Sequence, residues 1–260
     1  MLTTSASYGL IAANLSRSLE ATAAKPQVAR ETAYYLSRIE NIKSLDDFLG
    51  DDRVFTYAVK AFGLQDMTYA KAFMRKVLAE GITSQSAFAN KLADKRYRDF
   101  AETFNFAQFG TTTTIFDTAR QGTVDRYLRQ TLEEDAGSQD EGVRLALYFD
   151  RKAAGLTSPF SILADPPLLK VVFTALNLPA TTSLLDIDRQ AALISARLDV
   201  DDLKQPEKRA DFLKRFTTLW EISNPGTGTP APSIQIGQQA RTGIGNDVLA
   251  SLQNLKIGGT

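Results

Sequence analysis

The side chains with the types and spacing to do chemistry in this chain are carboxylates and cations. Asp186 and Asp188, in LLDIDRQ, lie two apart. On a strand they would share a face and could hold magnesium, whereas near a helix start they cap it and complement its dipole. Asp199, Asp201 and Asp202, in LDVDDL, resemble the opening of a calcium loop, without the glycine and the later glutamate that such a loop requires. Glu133, Glu134 and Asp135, followed by Asp140 and Glu141, flank Gly137 and Ser138 and read as a solvated helix end and turn. Lys91, Lys95, Arg96 and Arg98 form the most basic stretch, interleaved with Tyr97 and Phe100. Their spacing predicts an amphipathic helix with a cationic outer face, and contact with nucleic acid or an acidic partner is the alternative.

Absent residue types narrow the chemistry further. The 260 residues include no histidine and no cysteine. A Ser-His-Asp triad, a zinc site built on His or Cys, thiol catalysis and a disulfide framework are therefore excluded. What is left is carboxylate, lysine or tyrosine chemistry, or carboxylate-bound magnesium. There is no G-x-x-x-x-G-K-[ST] pattern, and Gly226 and Gly228 lie among prolines instead of between a strand and a helix. No cofactor is expected. Thirty basic residues balance thirty acidic ones, so nucleic acid is not an expected partner. No apolar run approaches the roughly eighteen residues of a membrane span, and the N-terminus lacks the pattern of a cleaved secretory signal.

The elements that must position these groups show an internal match. Ser44–Leu64, SLDDFLGDDRVFTYAVKAFGL, returns as Ser158–Leu178, SPFSILADPPLLKVVFTALNL, at a constant offset of 114 positions. Asp51 and Asp165 stand where an N-cap belongs, and Pro166 suits the first helical turn. Val54 and Leu168, Phe55 and Leu169, Val59 and Phe173, and Phe62 and Leu176 correspond at helical spacing. Gly63 and Asn177, the residue types that best tolerate a left-handed stop, end the two segments, each followed by leucine. ARETAYYLSR from Ala29 faces VRLALYFDRK from Val143 at the same offset, and AFMRKVL meets ALISARL after a loop insertion, PATTSLLDID.

These patterns predict an all-α fold of two tandem helical repeats packed into one helical body. The expected organisation is an amphipathic N-terminal arm over 1–25, helical repeat 1 over 26–110 and a connecting helix over 111–141. Helical repeat 2 follows over 142–221, then a flexible linker with a short C-terminal amphipathic segment over 222–260. Tyr8, Ile11, Leu15 and Leu19 recur at three- and four-residue steps, a narrow seam suited to pairing with another helix. Val248, Leu252 and Leu255 form a second short apolar face beyond NPGTGTPAPS. Both sets are candidate partner-binding residues, with docking on the body as the alternative.

The phrases YGLIAANLSRSL, DPPLLKVVFTALNLP, DIDRQ and FLKRF resemble a bacterial family of unknown function, domain of unknown function 1217, whose genes lie among flagellar genes. The resemblance covers most of residues 1–221 and includes no catalytic motif. It implies a flagellar association, at the basal body or rod, and the Ser/Thr-rich start is similar in style to flagellar axial proteins. The resulting expectation is a non-enzymatic protein of bacterial motility. It would contact flagellar structural or export proteins, self-associate, and be cytoplasmic or exported to the flagellum without a cleaved signal. A carboxylate-dependent magnesium enzyme using Asp186 and Asp188, and a cytoplasmic flagellar export chaperone, are the alternatives.

Overall fold

Aspartate, proline and glycine punctuate the chain, and helices start and stop where they fall. The computed structural model describes residues 2–225. The helices are α1 (Thr4–Ala13), α2 (Leu15–Ala23), α3 (Pro26–Ile39), α4 (Leu45–Gly50), α5 (Asp52–Ala61), α6 (Lys71–Ala79), α7 (Phe88–Lys91) and α8 (Arg96–Thr103). They continue with α9 (Phe106–Phe109), α10 (Gln121–Gln139), α11 (Glu141–Ala153), α12 (Pro159–Leu163), α13 (Pro166–Ala175), α14 (Ile187–Ser195) and α15 (Pro206–Ser223). Short 3-10 turns fill several connections, and no strand occurs among the described residues, so the fold is all-α.

The two matched segments form the same local structure. Asp51 caps α5 by accepting from the Val54 amide at 3.2 Å, and Asp165 caps α13 by accepting from the Leu168 amide at 3.2 Å. Each cap also accepts from a tyrosine two helices earlier: Tyr34 reaches Asp51 at 3.2 Å and Tyr148 reaches Asp165 at 2.7 Å. Gly63 and Asn177 have φ of 69° and 50°, and the following amides close the helix ends, Leu64 to the Val59 carbonyl at 3.0 Å and Leu178 to the Phe173 carbonyl at 2.9 Å. With the Gly63 amide on the Lys60 carbonyl at 2.9 Å and the Asn177 amide on the Thr174 carbonyl at 3.0 Å, each end makes the Schellman stop, which satisfies carbonyls a helix end would otherwise leave bare.

Packing then separates the halves into two apolar clusters. Phe48, Phe55, Phe62, Phe100 and Phe104 lie in the first, with Phe48 and Phe104 stacked at 4.7 Å and Phe62 edge-on to Phe100 at 5.2 Å. Leu145, Phe149, Leu168, Val172, Phe216 and Trp220 lie in the second. Helix α10, expected as a connector, belongs to the first cluster: Val124 and Tyr127 are buried there, and Tyr127 stacks on Tyr57 of α5 at 3.8 Å. Its other side packs on α11.

The α10–α11 contact corrects one reading of the acidic run. Glu133 is not at a solvated end, because its side chain is only 2% exposed. It accepts from Arg129 at 3.0 Å and from Nε and Nη2 of Arg151 at 2.8 and 2.7 Å, while Arg129 also donates to the Leu147 carbonyl at 3.1 Å. Burial alone would lower the Arg151 pKa, but the hydrogen-bonded carboxylate outweighs it and raises it. The neighbouring acids are paired too, Glu134 with Lys60 at 2.9 Å and Asp135 with Lys25 at 2.6 Å.

The N-terminal residues also differ from an arm standing off the body. Asn14 divides the segment expected as an amphipathic arm into α1 and α2, its side-chain amide donating to the Leu10 carbonyl. Helix α1 packs on α11 and α15, and α2 packs on α10. The close approach is possible because residue 142 is glycine: a Cβ there would sit 2.3 Å from Trp220 and 2.8 Å from the Thr4 methyl. Thr4 is buried and donates to Asp140 at 2.6 Å, while the Ser5 amide donates to Glu221 at 2.6 Å.

Candidate protein-interaction surface

Helices α13 and α15 pack side by side and leave a trough along their outer seam. Asp165 and Pro166 start α13, whose inward residues Leu168, Val171, Val172 and Ala175 are buried. Pro206 starts α15, which buries Leu213, Phe216 and Trp220 at helical spacing. The outward positions are left to line the trough: Leu169, Phe173, Leu178 and Leu219, all half-buried. A cavity of about 420 Å³ at one end and another of about 450 Å³ at the other share Asn177 and Leu219, so the depression is continuous. Leu184, 85% exposed, follows the lining residue Ser183, and Ile222, 71% exposed, precedes the lining residue Ser223 in the chain.

Cations border this apolar floor. Lys170 lines one end, with its Nζ 4.7 Å from the Trp220 ring centre, and Lys214 and Arg215 line the other beside Asp211. A half-exposed apolar trough with fixed cations can bind an apolar side-chain row flanked by anions, the general arrangement of helix-in-groove recognition.

The residues singled out from sequence lie elsewhere. Tyr8 packs on the second cluster, and burial, reinforced by the nearby Asp150 charge, pushes its phenol pKa up. Ile11, Leu15 and Leu19 are half-buried on α1 and α2, so the seam faces the body to which those helices dock; on α1 it is Leu10, 59% exposed, that stands in water. Val248, Leu252 and Leu255 lie outside the described residues.

The carboxylate groups are occupied locally. Asp186 caps α14 by accepting from the Arg189 amide at 2.9 Å and pairs with the Arg189 guanidinium at 3.1 Å; Asp188 follows, exposed, in the first turn. Asp199 accepts from the Asp201 amide at 3.0 Å, while Asp201 and Asp202 pair with Lys204 and Lys208 at 2.6 and 2.5 Å. In the basic stretch, Arg96 turns inward. Its guanidinium bonds Asp94 at 2.7 Å and the Gly63 carbonyl, leaving a break between α7 and α8 instead of one continuous cationic face. Sequence reasoning missed the trough because Leu169 and Phe173 read as core by analogy with Phe55 and Val59. The available signal was FLKRF, which sets Lys214 and Arg215 between buried Leu213 and Phe216.

A comparison with proteins of curated function finds no match. Among solved structures, the chain is similar to the crystal structure of protein AGR_C_984 from Agrobacterium tumefaciens, with a TM-score of 0.80 and 48% identity over 85% of this chain and 94% of that one. The family described as "Protein of unknown function (DUF1217)" matches residues 61–208, which take in α13 and the acidic run of α10. More than half of the sequence lies within that match, and the chain belongs to this family.

Proposed function

We propose that the protein is a non-enzymatic component of the bacterial flagellum that works by protein–protein contact. The contact half of this reading is supported by one observation: the α13–α15 trough exposes an apolar floor between unpartnered helix faces. The flagellar half is supported by the resemblance of YGLIAANLSRSL, DPPLLKVVFTALNLP, DIDRQ and FLKRF to a family encoded among flagellar genes. The body itself, and not an arm formed by Tyr8, Ile11, Leu15 and Leu19, presents the contact surface. Asp186 accommodates the same reading, since its oxygens already cap α14 and hold Arg189.

Deletion of the gene in a motile bacterium that carries it, combined with affinity purification of a tagged full chain, tests the proposal. Swimming is expected to fall, and flagellar structural or export proteins to co-purify. Unchanged swimming together with an eluate free of flagellar proteins would overturn it.

A further inference from the structure

The trough corresponds, position for position, to a corner of the first half that the chain fills with its own residues. Phe55, Val59 and Leu64, which precede Leu169, Phe173 and Leu178 by 114 positions, are 1%, 0% and 2% exposed. At Gly63, the counterpart of Asn177, Arg96 of α8 donates to the carbonyl and the Gln130 side chain of α10 lies 3.4 Å from where a Cβ would stand. In the second half the three corresponding apolar side chains are half-buried and Asn177 is exposed. Helix α14 packs on α12 as α6 packs on α4, so the difference lies in what reaches the corner from α8 and α10. A surface left open where its counterpart is sealed by helices has the shape for another helix.

Charge selects which helix. On α15, Lys208 and Arg209 are paired with Asp202 and Asp150. Lys170, Lys214 and Arg215, at the trough, form no ion pair among the described residues, and Asp211 is the lone acid beside them. Cations placed at both ends of an apolar floor favour a partner with carboxylates on either side of its apolar seam, through steering and through exclusion of basic competitors. We infer that the trough binds an acidic amphipathic helix of a partner protein. Its apolar row lies on Leu169, Phe173, Leu178 and Leu219, and its carboxylates face Lys170, Lys214 and Arg215. This rests on the interaction reading above and assigns the chemistry of its partner.

The test uses the full chain and two fluorescent synthetic helices of about 18 residues, long enough to hold helical structure. They share one leucine seam at i, i+3, i+4 and i+7, and are flanked by glutamate in one and lysine in the other. The glutamate helix is expected to bind at least about tenfold more tightly, a difference of about 1.4 kcal/mol, and less so as salt rises. Leu219→Glu should weaken it by about tenfold or more, and Lys214→Glu with Arg215→Glu, both at exposed positions, should reverse the preference toward the lysine helix. Thermal melts of the variants check that the fold is intact.

Equal binding of the two helices, no binding of the glutamate helix, or a preference unmoved by the double charge reversal overturns the inference. So does wild-type binding to phosphatidylglycerol vesicles that the double variant loses, which would give the trough to a membrane. A dimer in sedimentation that Leu219→Glu dissociates would give it to a second copy and overturn the inference equally. Failure of the acidic preference while flagellar proteins still co-purify removes this inference alone, whereas their absence together with unchanged swimming removes the interaction reading itself.

Discussion

At Gly63 the chain ends a helix in the left-handed region and closes the corner with Arg96 and Gln130; at Asn177 it ends a helix the same way and leaves the corner open. The caps, the helix-closing amide bonds and the tyrosine on each capping carboxylate agree between the two. What differs is the later chain. After α5 the sequence supplies Phe100 and Phe104 to the same apolar cluster, and Phe62 packs edge-on to Phe100. After α13 the sequence likewise supplies Phe216 and Trp220 to its cluster, and α14 packs on α12 as α6 packs on α4, but among the described residues no side chain donates to the Asn177 carbonyl as Arg96 does to that of Gly63, and the LLDI run before α14 is exposed. Local helix signals thus fix where a helix begins and ends, and distant segments decide which of its faces become core.

The largest test of that contrast is a pair of truncations. Phe55→Ala, in the sealed corner, should cost about 3–5 kcal/mol in chemical denaturation through the cavity it leaves. Leu169→Ala, at the matched position, should cost about 1 kcal/mol, because part of that side chain is already in water. Equal losses would show that the trough is closed in solution.

The two helix stops come next. Gly63→Ala forces a Cβ-bearing residue into the left-handed region at φ 69°, and should lower stability by about 1–2 kcal/mol. Asn177→Gly relieves the same conformation with no neighbour to disturb, and should change stability by about 0.5 kcal/mol or less. Asp51→Ala and Asp165→Ala should each cost about 1 kcal/mol for a lost cap.

Asp51 adds a pH signature. Partial burial pushes its carboxyl pKa up, but the Val54 amide, Arg38 and Tyr34 together hold it below the ordinary value of 3.8. A carboxylate depressed on folding contributes stability that is fully present above its unfolded pKa and is lost as pH falls through the folded one. Asp51→Asn should therefore flatten part of the acid limb of stability below about pH 4. The smallest change is expected of Arg38→Ala, whose exposed pairing with Asp51 at 3.2 Å should be worth about 0.5 kcal/mol.

The helix starts at Asp51, Asp165 and Asp186 were legible in sequence because a cap bonds an amide three residues away, within sight of any short window. Glu133 was not, since its burial depends on Arg151 from the next helix, and nothing in EED distinguishes the acid that turns inward. The seam of Tyr8, Ile11, Leu15 and Leu19 was visible as a pattern, but periodicity cannot say which surface receives it. The receiving surface is marked by Gly142, a glycine inside a helix where Thr4 and Trp220 come close. The trough was hidden for the converse reason, because an apolar residue reads alike whether the chain later covers it or leaves it open.

Glu133 has a further consequence for how the molecule can be divided. The glutamate and Arg129 belong to α10, whereas Arg151 belongs to α11, and the boundary between them is Asp140. A fragment ending there would keep a matched acid and base; a fragment beginning there would carry Arg151 with its carboxylate gone and with the face that α10 covers laid bare. The matched segments are thus no longer interchangeable modules. One shared carboxylate makes the second half dependent on the first, so trimming the chain to its trough-bearing part would discard the charge that seats Arg151.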